Sequence, residues 1–172
     1  IIIKVNFLML EPQNEEEFKM DIGIVGLGVV GTACKNGFEK IGHTVKYHDV
    51  KFYTNIEDVL DTEVCFVSVP TPSNDDGSIN IDSILSVIKE IDKTKEKSKP
   101  IILIRSTIIP GTTESISKSY PELKIVFNPE FLTERNAVQD FNNQNRIIIG
   151  GPRPATTNVK NIFSKVLSLI HI

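Results

Sequence analysis

The sequence predicts one α/β domain built on a doubly wound parallel sheet, and three observations carry that prediction. Short runs rich in Ile and Val recur along the chain, apolar through their centres, as strands covered on both faces are. Stretches with apolar residues at helical spacing lie between them. A glycine cluster ends the first run and opens the first helical stretch, the order a βαβ unit requires.

Taken in order, the strand candidates are residues 22–27, 44–50, 64–69, 101–106, 124–128 and 146–149. The first helix is predicted from Val30, Cys34, Phe38 and Ile41, and the second from Ile81, Ile84, Leu85, Ile88 and Ile91. The second passes into a Lys/Glu-rich stretch, residues 93–99, which Pro100 closes. Between Val50 and Val64 the connection is short and holds at most a helical turn or two, at residues 56–60.

Composition narrows the function classes. A chain of 172 residues with 40% hydrophobic content is long enough for one well-buried domain and too short for two full ones. Lys and Arg number 19 against 22 Asp and Glu, a net charge of −3, which argues against an electrostatic nucleic-acid or membrane binder. No apolar run approaches the roughly 20 residues a membrane span needs. Two cysteines without metal-ligand spacing fit a reduced, cytoplasmic setting better than a disulfide scaffold.

The strongest local signal is Val25-Gly26-Leu27-Gly28-Val29-Val30-Gly31. Gly26, Gly28 and Gly31 fit G-x-G-x-x-G between a strand and a helix, the context a dinucleotide-binding loop demands. The first glycine permits the tight turn, the second lets a pyrophosphate approach the backbone, and the third lets helix and strand pack closely. The helix start then offers free N–H groups and a positive dipole end to phosphate. Asp49 ends the second strand, 18 residues beyond Gly31. A carboxylate there accepts hydrogen bonds from a ribose diol and repels the extra phosphate of NADP, so NAD is the expected cofactor. The plainer alternative is a strand-terminal Asp that caps a turn.

Three further segments follow successive strands, at the sheet end where open α/β folds bind ligands. They are Val69-Pro70-Thr71-Pro72, then Ser106-Thr107-Ile108-Ile109-Pro110-Gly111-Thr112-Thr113, then Asn128-Pro129-Glu130-Phe131-Leu132. Together with the glycine loop, and with Asp76-Gly77 and Arg146-Ile147-Ile148-Ile149-Gly150, these resemble the N-terminal NAD-binding domain of the UDP-glucose/GDP-mannose dehydrogenase family over about residues 20–151. The related β-hydroxyacid dehydrogenases share the glycine loop but lack the paired proline motifs.

The resemblance implies a Rossmann-type fold and a two-step oxidation of a nucleotide sugar such as UDP-glucose. The C6 alcohol goes to an aldehyde and then, through an enzyme-bound thioester, to a carboxylate, with two NAD used. In the matching positions Gly26, Leu27, Gly28, Val29, Val30, Gly31 and Asp49 would hold the first dinucleotide half, and Thr71, Ser106 and Thr107 would line the nicotinamide side. Glu130 would be the acid/base that activates water, with Thr107 orienting a water or carboxylate through a neutral hydroxyl. Glu134 would touch cofactor and substrate, while Phe131, Leu132 and Thr133 would meet the substrate through backbone atoms. The alternatives are a helix-terminal carboxylate for Glu130, an exposed acid paired with Arg135 for Glu134, and turn caps for Thr71 and Thr107.

Cys34 and Cys65 fall on core positions, and His43 falls at a helix-to-strand turn. His48 precedes Asp49 and reads as a strand residue beside the ribose position. No cluster suggests a metal site. Two departures from the family stand out. The segment after Asp49 is shorter than usual, and the central helix, the nucleotide-sugar domain and its nucleophilic Cys and Lys do not occur. The chain alone is therefore expected to be inactive, and the homo-oligomer expected of the full-length protein rests on the missing helix.

The ends set the expected domain limits. Residues 1–19 read as an upstream extension outside the fold, with Met20 a plausible start. Residues 20–166 form the NAD-binding domain. Residues 167–172 (Leu-Ser-Leu-Ile-His-Ile) resemble the translation of a common sequencing adapter, with an ordinary apolar segment as the alternative. A stand-alone NAD-binding module with a regulatory or partner-binding role is the competing expectation.

Overall fold

The computed structural model describes residues 2–4, 19–94, 99–144 and 146–166. In chain order they form β1 (Ile2–Lys4), β2 (Asp21–Val25), α1 (Val29–Lys40), β3 (Thr44–His48), β4 (Val64–Val67), α2 (Asp82–Lys93), β5 (Ile101–Ile104), α3 (Thr112–Ser119), β6 (Ile125–Phe127), α4 (Ala137–Asn142), β7 (Arg146–Ile148) and α5 (Arg153–Val166). Short 3-10 turns cover Val50–Phe52, Ile56–Val59 and Glu134–Asn136.

Alternation along each strand decides how the layers form. In β5, Ile101 and Leu103 face one side and Ile102 and Ile104 the other, and all four are buried. The first side packs with Ile22, Ile24 and Phe66 against α1, α4 and α5, through Cys34, Phe38, Phe141 and Val159. The second packs with Cys65 and Val67 against Ile84, Ile88 and Ile91 of α2, Ile116 of α3 and the Ile56–Val59 turn. A sheet covered on both faces in this way is the doubly wound α/β arrangement that the apolar runs predict.

The sheet has five parallel strands in the order β3-β2-β4-β5-β6. From β2 the chain goes first to one neighbour, β3, and then crosses to the other, β4. Strand order thus reverses between β2 and β4, and a crevice opens at their carboxyl ends. β3 and β6 are the two edge strands, and the connection after β3 holds only the two 3-10 turns.

The sixth predicted strand requires a correction. Residues 146–148 do not extend the parallel sheet. They pair antiparallel with Ile2–Lys4, and Gly150 exchanges backbone hydrogen bonds of 2.7 and 2.8 Å with Phe127 in antiparallel sense. The chain leaves β6 through one 3-10 turn and the six-residue α4, and it is Gly150, just beyond β7, that bridges back to Phe127 at the end of β6. Three helices, α3 to α5, form where no helix was predicted. At the chain ends, Met20 is buried in the core and its N–H donates to His43 Nδ1 at 3.3 Å. Residues 5–18 and the tail at 167–172 lie outside the described residues.

Candidate functional site

At the carboxyl ends of β2 and β4 the glycine loop turns into α1. Gly26 has φ +91°, and a Cβ there would stand 2.6 Å from the Ser68 carbonyl oxygen. Gly31 is the tighter position, since its Cβ would meet the Gly26 oxygen at 1.8 Å. Nothing lies within 4 Å of the corresponding point on Gly28, so the backbone is open there. Gly28 is also the N-cap of α1 and, having no side chain, leaves the first amides of the helix uncapped. This open cradle at a 12-residue helix start fits a pyrophosphate.

Asp49 braces the loop from the end of β3. Its Oδ2 accepts from Leu27 N–H at 2.6 Å and its Oδ1 from Lys51 N–H at 2.8 Å. Burial pushes the carboxyl up, but those two amides and the Lys51 and His48 charges outweigh it and hold it below the ordinary carboxylate range. The turn-capping alternative is thus realised, since Asp49 is the N-cap of Val50–Phe52. Each oxygen keeps a lone pair for a diol. His48 Nδ1 lies 2.7 Å from the Thr54 carbonyl, and the Thr54 hydroxyl accepts from Asp49 N–H at 3.0 Å, closing the short segment on itself.

Loop and strand ends line one cleft of about 670 Å³. Of the predicted residues it gathers Gly26, Gly28, Val29, Val30, Asp49, Thr71, Ser106, Thr107, Glu130, Leu132 and Glu134. Leu27 lines a neighbouring hollow with Glu134, Gly31 is buried in packing, and Phe131 and Thr133 lie outside the cleft. Ser106 is buried and its hydroxyl donates to the Val69 carbonyl at 2.7 Å, tying the end of β5 to the proline loop after β4. Thr107 is exposed at the cleft. Glu130 accepts from Leu132 N–H two residues on, within a turn and not at an α-helix start. Glu134 opens the 3-10 turn before α4, and no ion pair joins it to Arg135 among the described residues.

Several wall residues escaped the sequence reading. Ser83, Ser86, Val87 and Glu90 of α2 line the cleft, a stripe at helical spacing that the reading of the apolar face passed over. Arg105 ends a run of four buried apolar residues and remains buried itself, with Nη1 donating to Asn128 Oδ1 at 2.9 Å. Asp140 accepts from the Thr133 hydroxyl at 2.7 Å and its amide at 2.8 Å, and these bonds hold its carboxyl below the usual range. Cys34 and Cys65 are fully buried, and burial pushes the Cys65 thiol up to about 12 and the Cys34 thiol up as well. Neither is a nucleophile at neutral pH. Among the described residues no three His, Cys, Asp or Glu side chains come together as metal ligands, and no helix is long and apolar enough to cross a membrane.

The sequence profile of the UDP-glucose/GDP-mannose dehydrogenase family, NAD binding domain, matches residues 46–167. UDP-glucose 6-dehydrogenase AglM of Haloferax volcanii is 27% identical over 175 residues, covering 76% of this chain and 41% of that protein. GDP-mannose 6-dehydrogenase of Pseudomonas aeruginosa is 28% identical over 178 residues, again covering 76% and 41%. The chain thus spans about two-fifths of the length of these relatives. In fold it is similar to a UDP-glucose dehydrogenase from the hyperthermophilic archaeon Pyrobaculum islandicum, with TM-score 0.74, 22% identity and 91% of this chain against 46% of that one covered.

Proposed function

The chain belongs to the UDP-glucose/GDP-mannose dehydrogenase family, whose NAD-binding domain it carries, and from that premise we propose that it serves the oxidation of the C6 alcohol of a nucleotide sugar, UDP-glucose foremost, to a carboxylate. When bound, NAD supplies the hydride acceptor for each of the two oxidations. The uncapped amides at the start of α1 and the open Gly28 backbone hold the pyrophosphate. Asp49 accepts from a ribose diol and disfavours a further phosphate. Thr71, Ser106 and Thr107 flank the nicotinamide end.

Glu130 takes and returns a proton at a water molecule, and Thr107 orients that water or the product carboxylate. Phe131, Leu132 and Thr133 meet the sugar nucleotide along their backbone, and Glu134 stands between sugar and cofactor. The observation that carries the reading is that a carboxylate, a free hydroxyl and a pyrophosphate-shaped helix start line the same cleft. The nucleophilic cysteine of such a reaction is not supplied by Cys34 or Cys65, both fully buried, so on this reading the described residues bring cofactor and proton chemistry only.

The test is the stoichiometry of the complete gene product with UDP-glucose and GDP-mannose. Two NADH per sugar nucleotide, with one sugar strongly preferred, is the expected result. One NADH per sugar, or no oxidation of either, contradicts the reading.

A further inference from the structure

Among the described residues Arg105 is a buried side chain that carries a permanent charge. It follows four buried apolar residues of β5 and is itself only 5% exposed, a position where an apolar side chain would be cheaper. Its guanidinium lies over the Phe66 ring, 5.6 Å from the centroid, and borders the cleft. It forms no ion pair among the described residues, and its buried Nε has no hydrogen-bond partner. A cation so placed needs a reason, and the side-chain hydrogen bond it makes, to Asn128 Oδ1, indicates it.

Asn128 is 2% exposed and held on three sides. Its N–H donates to the Ile104 carbonyl at 2.9 Å, its Nδ2 to the Ile148 carbonyl at 2.9 Å, and its Oδ1 accepts from Arg105. Only the amide nitrogen can donate to a carbonyl and only the oxygen can accept from a guanidinium, so the orientation is fixed by the partners. Pro129 restricts Asn128 to extended backbone, and Glu130 comes next, its carboxylate closed onto Leu132 N–H at the cleft.

We propose that Arg105 is the positioning residue for Glu130, holding through Asn128 the stiff arm that sets the Glu130 carboxylate into the cleft. This rests on the reading of Glu130 as the proton-transfer group. The arm itself is measurable without turnover, so the two stand or fall separately.

The experiment is amide hydrogen exchange by NMR on the chain and on R105M, R105Q and R105K. R105M removes the donor, leaves Asn128 Oδ1 unpaired and frees the arm. Leu132 N–H should then exchange about ten-fold faster, while Phe66 and Leu103 in the sheet stay within about two-fold of the parent. R105K, which still donates, should restore most of the Leu132 protection. If R105M does not fold, R105Q, neutral and too short to span the gap, carries the same expectation. Unchanged Leu132 exchange, or acceleration shared equally by Phe66 and Leu103, overturns the proposal. Loss of oxidation by E130Q in the complete gene product is the independent test of the reading beneath it.

Discussion

The two tasks given to Asp49 pull on the same atoms. Its oxygens fix Leu27 N–H and Lys51 N–H, so the residue proposed to take the ribose diol also holds the glycine loop in shape. Asp49→Ala should therefore lower stability by about 1–2 kcal/mol, because two backbone donors lose their acceptor. Urea denaturation measures this. An unchanged midpoint would show that the loop keeps its shape without the brace. The sequence revealed Asp49 from its distance to the glycines and offered its turn cap, but not its bond to Leu27 N–H, since a spacing rule carries no information about which distant backbone amide a side chain reaches. Arg105 and Asp140 were illegible for the same reason. Their partners, Asn128 and Thr133, are adjacent only once the strands and α4 have folded together.

At the scale of elements, helix α1 is fixed at two glycines. A Cβ on Gly37 would fall 2.1 Å from Phe141 on α4, so that glycine is what lets the two helices touch. Gly37→Ala should destabilise by about 1–3 kcal/mol through overpacking, and Phe141→Leu in the same chain should recover part of the loss. Strictly additive losses in a double-mutant cycle would contradict this contact. Gly31→Ala meets backbone instead of a movable ring and should cost more, about 3 kcal/mol or above, together with nucleotide binding. The strands and first two helices were readable because their periodicities are long and apolar. Helix α3, TTESISKS, has one apolar residue, Ile116, and α4 has six residues, too few for a period to show. The direction of β7 was not readable either, since alternation does not encode which way a strand runs.

On the scale of the whole molecule, pH acts through His43. It is 7% exposed, its Nε2 lacks a partner, and burial holds its imidazole below the ordinary value of about 6.5. Between that lowered value and about 6.5 the unfolded chain binds more protons than the folded one. Stability from this source is complete above about pH 6.5 and falls as the solution is made more acid. The Asp49 and Asp140 carboxyls, lowered in the fold, lose their contribution only in the lower range below about pH 4. Urea midpoints should thus drop from pH 7.5 to pH 5.5 in the parent chain, and H43Q should flatten that drop. An equal drop in both would assign it elsewhere.

One domain was the bound that length and composition set. The five parallel strands, the switch point between β2 and β4 and the family match make it an NAD-binding domain of the UDP-glucose/GDP-mannose dehydrogenase family. Everything else depends on that cleft taking NAD through the glycine loop and Asp49. Titration calorimetry of this chain with NAD and NADP tests it most directly. Saturable binding of NAD, at least about ten-fold tighter than NADP and brought closer to parity by Asp49→Asn, is the result expected. Equal affinity for the two nucleotides, or no binding of NAD at all, would contradict it.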